Sequence, residues 1–389
     1  TRPSGLALSV ENKEVEGESL GGTGNASRIF DLPVWVGNGS FLGNKQRLYN
    51  AVATSRGSQR DPARLELARF YFANGLGAET LGVLALMAES DPEILSDPAF
   101  RALRGGARLL NNNLPGARED LFHERLDGVD EIELWRGAVL AREGDLQRAG
   151  LPMRSGGAIL ADYPETVKRK LALLGAEATL ALGDAKSAEE FLRMLEQEYP
   201  TARDQAKLQR LQGALAELTG DYEEAIAKWE KVENGPDRYA RSRAALARIE
   251  LLFRTEEINA SKATEELEKL RFVWRGDAFE FQLLRRMGDF YLEAGNYRQA
   301  LETYKSLVSN FPSEPESKAV TQLMKDIFEN LYLNDAADAI PPVTAISLYN
   351  EFRELTPGGE RGDELIRKLA DRLVGVDLLP YLEHVAQRP

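Results

Sequence analysis

The chain has 389 residues, 43% of them hydrophobic and 29% charged, with a formal net charge of −13 and a pI near 5.0. A surface this acidic argues against nucleic acid as the main partner, and the absence of cysteine excludes disulfides, thiolate catalysis and thiolate-bound metals. No apolar run reaches the roughly 18 residues of a membrane-spanning helix, so this chain is expected to carry no transmembrane segment.

Residues 1 to 28 are rich in Gly, Ser and Glu without a hydrophobic period, and read as a flexible leader. Ile29 to Gly43 is different. Pro33 and Gly37-Asn38-Gly39 argue against a helix, yet Phe30, Leu32, Val34, Trp35 and Phe41 make the segment markedly apolar. An extended apolar stretch on a polar leader needs a cover. Phe30, Leu32 and Trp35 are therefore expected to dock, either on the first helices as a cap or into a partner. Residues 1–43 are taken as leader and docking segment, and 44–389 as the folded body.

From Asn44 a helical cadence recurs. It is densest in Leu284 to Pro312, which reads as two amphipathic helices joined at Gly295-Asn296, residues that tolerate the left-handed conformation closing a helix. Gly288 and Tyr291 share a face of the first helix. Tyr297, Ala300, Leu301, Tyr304, Leu307 and Val308 make one apolar stripe on the second, and Pro312 stops it. Gly288, Tyr291, Gly295, Tyr297, Ala300, Tyr304 and Pro312 together resemble the tetratricopeptide repeat, with Leu284 where tryptophan is common. Units in register with Ala300 centre on Thr80, Ala117, Ala149, Ala188, Ala225, Ala263 and Ala345. The steps between them run from 32 residues (Ala117 to Ala149) to 45 (Ala300 to Ala345). The resemblance implies an all-α, right-handed superhelical solenoid of about eight helix–turn–helix repeats, which needs no single central core.

Several units depart from the pattern. Pro152 and Gly156-Gly157 are expected to break or kink the second helix of the Ala149 unit. Asn111-Asn112-Asn113 stands where the Ala117 unit wants its turn glycine, a role asparagine fills. The connection before Ala263 obscures the register of the preceding helix, and a long loop, LNDAADAIPP, precedes Ala345. Residues 361–387 look like one more helix pair without a polar cap, which suggests a chain that continues.

Chemistry is not written in this sequence. Two histidines, His123 and His384, stand far apart, so no His-based triad is expected. GLGAE and GGTGN lack the ending of a phosphate loop, Glu256-Glu257 and Glu265-Glu266 read as solvated faces, and Asp335 and Asp338 lack the spacing of a calcium loop. Neither a cofactor nor a metal is expected, and no catalytic residue stands out. What remains is a surface. The resemblance implies that the first helix of each pair lines the inner face. Its early part, Leu65, Arg69, Phe72, Leu109 and Leu134, is apolar; its later part, with Lys170, Lys207, Arg210 and Arg285, is mixed with a basic edge. The apolar part either docks an amphipathic peptide or is covered by tighter winding or by Phe30 to Trp35. The function expected is a non-enzymatic scaffold or adaptor for other proteins, in an oligomer or a larger assembly; the alternative is a chaperone or regulatory module holding a client peptide. Absent cysteine, a start that looks trimmed and the resemblance to bacterial repeat proteins suggest the periplasm, with the cytoplasm as the other setting. Any signal peptide or anchor would precede Thr1.

Overall fold

The computed structural model describes residues 26–196, 202–271, 278–334 and 340–375. The sequence readings on residues 1–25, on Asp335 and Asp338, and on the chain after 375, His384 included, lie outside them. The chain divides into two compact units, Thr1–Arg241 and Ser242–Pro389. Among the described residues no strand occurs. The helices of the first unit are α1 (Leu32–Trp35), α2 (Phe41–Thr54), α3 (Arg60–Ala73), α4 (Gly77–Ser90), α5 (Pro98–Leu110), α6 (Leu114–Leu121), α7 (Asp130–Arg142), α8 (Leu146–Ala161), α9 (Glu165–Ala181), α10 (Ala185–Glu196), α11 (Ala202–Thr219) and α12 (Tyr222–Glu233). Then come α13 (Arg238–Arg254), which crosses the division, α14 (Ala260–Arg271), α15 (Ala278–Glu293), α16 (Tyr297–Asn310), α17 (Ser317–Leu333), α18 (Pro342–Glu351) and α19 (Glu360–Gly375). Consecutive helices pair as hairpins in α3–α4, α5–α6, α7–α8, α9–α10, α11–α12 and α15–α16.

One turn recurs. Just past α3, α7, α9, α11 and α15 a glycine enters the left-handed region (Gly75, Gly144, Gly183, Gly220 and Gly295), and past α5 and α13 Asn112 (φ 60°) and Glu256 (φ 61°) do the same. The next residue then sends its N–H back across the turn. Leu76 reaches Tyr71 at 3.0 Å, Asp145 reaches Leu140 at 2.9 Å and Asn296 reaches Tyr291 at 2.8 Å, capping carbonyls that the helix leaves open. In four hairpins that same residue opens the second helix. The side chains of Asn113, Asp145, Asp184 and Asp221 accept the N–H of Gly116, Arg148, Ser187 and Glu224. A single residue therefore ends one helix with its backbone N–H and starts the other with its side chain.

Within a hairpin, small residues set the separation. A Cβ on Gly288 would lie 2.2 Å from the Tyr304 ring, whose hydroxyl donates to Asp289 at 2.6 Å. Gly213 receives Trp229 in the same manner, and Gly175 receives Phe191.

The structure corrects some expectations. Helix α8 is continuous through Pro152 and Gly156-Gly157. A Cβ on Gly137 would sit 3.0 Å from Pro152, one on Gly156 2.5 Å from Leu134, and one on Gly150 2.2 Å from Leu182. The residues that lower helix propensity are the ones that let α7 and α9 close on α8 from two sides, and that packing outweighs a proline penalty of about 3 kcal/mol. Pro33 does not prevent a helix either: it sits in the first turn of α1, where its missing N–H has no helical partner to lose. Gly37 and Gly39, both with positive φ, separate α1 from α2, so helix begins inside the segment assigned to the leader. Of the helix pair expected over 361–387, α19 is the one helix described.

Gly288→Leu is expected to overpack the α15–α16 hairpin, lowering stability by roughly 1–3 kcal/mol in urea unfolding. Hydrogen exchange should quicken in α15, α16 and their neighbours and stay unchanged in the first unit; a uniform increase along the chain would contradict nearest-neighbour stabilisation.

Candidate functional site

In the first unit the leading helices α3, α5, α7 and α9 stand side by side, and the chain's own residues Ser27 to Trp35 lie against them. Ser27 starts the contact: its N–H donates to the Asp130 carboxylate at 2.9 Å, and its hydroxyl accepts the Asp130 N–H at 2.9 Å. Arg28 pairs with Asp162 at 2.7 Å on the surface. Ile29 and Phe30 then turn two successive N–H groups onto one oxygen of Glu131, at 2.6 and 2.8 Å. The other Glu131 oxygen accepts the Tyr163 hydroxyl at 2.5 Å, and the Tyr163 oxygen accepts the Trp135 indole N–H at 3.0 Å.

An aromatic cage completes the site. The Phe30 ring centroid lies 5.1 Å from Phe72, 5.7 Å from Trp135 and 5.9 Å from Trp35, each edge-on, the arrangement that ring quadrupoles favour. Leu32 is fully buried beside it, and the Arg69 guanidinium lies 4.9 Å above Trp35, itself half-buried. Glu131 is fully buried. Burial raises its carboxyl above the ordinary range, against the opposing pull of Tyr163, the two backbone N–H groups and Arg28. Burial, then Glu131, holds the Tyr163 phenol well above its usual value. The site grips main chain by a charge and side chain by rings.

These contacts change the reading of the apolar inner face. Leu65, Phe72, Leu109 and Leu134 are core residues, not the lining of an open groove. Two causes combine. Phe30 and Leu32 cover them, and the array winds tightly: the Lys170 amine of α9 reaches the Gly75 carbonyl of the α3–α4 turn at 3.3 Å. Burial lowers the Lys170 pKa. Of the residues singled out in the sequence, the structure brings together Phe30, Leu32, Trp35, Leu65, Arg69, Phe72, Leu109 and Leu134, with Lys170 at the edge. Lys207 and Arg210 stand further along on α11, where Arg210 pairs with Glu177 at 2.5 Å. Arg285 belongs to the second unit, 3.0 Å from Asp289 and over the Tyr304 ring. The basic edge is therefore partly neutralised in place.

Glu131, Trp135 and Tyr163 escaped the sequence reading. Glu131 is one of three carboxylates opening α7, and nothing in DEIELW distinguishes the buried one from its solvated neighbours. In the second unit, two open clefts of about 540 and 390 Å³ border the leading helices. Leu292, Tyr297, Leu323 and Ile327 line the smaller and Glu293 the larger. Among the described residues no group of acidic or histidine side chains is placed to hold a metal, and Glu265 and Glu266 pair instead with Lys262 and Lys269.

The fold and the turn define a helical-hairpin repeat protein of tetratricopeptide type. The family model described as tetratricopeptide repeat matches residues 282–313, the α15–α16 hairpin in which the pattern is densest. The chain is similar to two solved structures. The human IFIT1 dimer with m7Gppp-AAAA is 14% identical, covering 91% of this chain and 90% of that chain at a TM-score of 0.36. The P58(IPK) TPR domain is 17% identical, covering 84% and 91% at a TM-score of 0.22. Neither superposition is close enough to carry an argument about ligands. No curated protein matches the chain by sequence.

Phe30→Ala is expected to release the segment from α7, with loss of hydrogen-exchange protection at Ile29 and Phe30 and about 3–5 kcal/mol of stability. Persisting protection would show that the Glu131 bonds hold the segment without the ring. Glu131 also predicts a pH dependence. Its folded carboxyl binds a proton more tightly than the unfolded one, whose ordinary value is 4.5. The resulting stability is complete below that value and is lost as pH rises through the folded pKa. Glu131→Gln should flatten this part of the urea-midpoint profile; an unchanged profile would mean that Glu131 does not titrate there.

Proposed function

We propose that the chain is a non-enzymatic protein-interaction scaffold whose repeat faces receive extended peptide segments, and that it helps assemble a multiprotein complex. The observation that carries this reading is the docked segment. Nine residues, Ser27 to Trp35, lie on the leading helices with two main-chain N–H groups on a buried carboxylate and one ring in an aromatic cage. Such a face recognises peptide, through backbone for affinity and through one pocket for identity. A second reading, a chaperone or regulatory module, draws on the same contact: Glu131 reads N–H groups, which every residue but proline offers. As a further part of the proposal we assign the protein to a bacterial cell envelope, on the complete absence of cysteine.

Purification of the full chain from its own cells separates the two. A scaffold is expected to bring partners that keep a fixed stoichiometry through gel filtration, whereas a chaperone would bring a shifting, substoichiometric set. Protease added to intact and to osmotically shocked cells tests location; protection lost only when the inner membrane is broken would refute the envelope assignment.

A further inference from the structure

The seat of Ser27 to Trp35 is organised without the segment that fills it. Glu131 and Trp135 stand on α7, and Tyr163 follows α8. The Tyr163 hydroxyl donates to Glu131 and its oxygen accepts from Trp135, so bonds inside the repeat array orient the buried carboxylate. Phe72 lies 5.3 Å from Trp135, which sets the walls of the ring pocket. The segment stands outside every hairpin: it precedes the first, and α3 to α10 pair through their own contacts. Its joint to the body is Gly37-Asn38-Gly39, with both glycines at positive φ, and a Cβ on Gly39 would meet nothing within 4 Å. Beyond the joint α2 is held separately, by Phe41 stacked on Phe70 at 5.3 Å and by Leu48 in the cluster around Phe70. Departure of Ser27 to Trp35 therefore breaks no hairpin and uncovers a shaped seat.

That seat reads a short pattern. At the first position the Ser27 N–H meets the Asp130 carboxylate at 2.9 Å, its hydroxyl accepts the Asp130 N–H at 2.9 Å, and its carbonyl accepts the Glu131 N–H at 3.2 Å. The second position is a cation, Arg28 on Asp162 at 2.7 Å. The third and fourth each supply an N–H to Glu131, which excludes proline, and the fourth places a ring between Phe72 and Trp135. Charge agrees with this pattern. Asp130, Glu131 and Asp162 border the seat in a chain of net −13, so a cationic segment is attracted and an acidic one repelled.

Resting on the peptide-docking function proposed above, we infer that a partner protein carries the same pattern, hydroxyl–arginine–aliphatic–phenylalanine, and binds by displacing Ser27 to Trp35, the chain's internal copy. The segment is then an autoinhibitory plug. Tethered through Gly37 to Gly39, it faces the seat at an effective concentration on the order of millimolar, which closes the seat to weak and chance peptides. A partner opens it by presenting the pattern together with contacts elsewhere on the array. A second copy of this chain gains nothing by exchange, because it trades identical contacts and gives up the tether.

The probe is a fluorescein-labelled peptide of residues 26–36, ASRIFDLPVWV, titrated by anisotropy into the full wild-type chain and into the full chain with Phe30→Ala, whose own copy lacks the ring. The peptide is expected to bind the Phe30→Ala chain at least about tenfold more tightly than wild type. Phe30→Ala or Ile29→Pro made in the peptide should each weaken that binding at least about tenfold. In the wild-type chain, saturating peptide should speed hydrogen exchange at the chain's own Ile29 and Phe30, a change that a purely structural segment would not show. If circular dichroism finds the Phe30→Ala chain unfolded, Ser27→Ala with Arg28→Glu loosens the copy at its solvent-facing end and takes its place. No binding to any of these chains, binding indifferent to the two peptide changes, or exchange at Ile29 unmoved by saturating peptide would overturn the inference. So would a wild-type dimer in sedimentation that Phe30→Ala dissolves, since a second copy would then be the occupant. Partners that co-purify at fixed stoichiometry beside a peptide that fails to bind would leave the scaffold function standing and remove this inference alone.

Discussion

The left-handed residue at the hairpin turns from α3 to α16 is the constraint on which the rest depends. Where φ turns positive, the chain reverses and the following N–H caps the helix just ended. The side chain there, Asn113, Asp145, Asp184 or Asp221, then caps the helix about to begin. With both ends fixed in so few residues, the two helices are delivered antiparallel and in register. Small residues such as Gly213 and Gly288 then meet the large ring of the next helix. Asn112 and Glu256 hold the same turn without glycine, which shows that the hydrogen bonds impose the conformation rather than follow from it. For Glu256 that strain is on the order of 1 kcal/mol, accepted because the capped carbonyls would otherwise stay open.

The second theme is how a repeat array closes over its own apolar face. Leading helices that bring Leu65, Phe72, Leu109 and Leu134 together would leave a large hydrophobic surface, and the chain covers it with Phe30 and Leu32. Covering it raises a polar problem. Ile29 and Phe30 carry backbone N–H groups toward the core with no helix or strand to receive them. Glu131 answers with one oxygen for Ile29 and Phe30, leaving the other for Tyr163. A buried carboxylate is unfavourable alone, and its raised pKa records that, but three donors compensate it. The result is a specific seat for one short segment, not a general hydrophobic contact.

Charge is distributed with the same economy. Asp120, fully buried, is shared by Arg104, Arg108 and Arg101 from the facing helix, and Arg136 spans Asp127 and Glu133. Most arginines of the first unit's leading helices are thus committed to internal pairs that fix neighbouring helices. This commitment is why the basic edge around Arg210 offers less than its sequence promised.

The sequence by itself determined the elements. Periodicity, small-residue spacing and turn residues marked nearly every hairpin from α3 to α18, including the asparagine turn at Asn112, because each rests on contacts within a few residues of chain. It also marked Phe30 to Trp35 as a segment needing cover. Only the tertiary structure decided what covered what. Pro152 looked like a break until α7 and α9 closed upon it, and Phe72 read equally as groove lining or as a covered face until Phe30 lay across it. Glu131 was one carboxylate among three until a segment a hundred residues earlier in the chain brought two N–H groups to it. Local sequence fixes backbone conformation through short-range sterics and hydrogen bonds. Burial depends on which distant surfaces meet, and no window of residues contains that information.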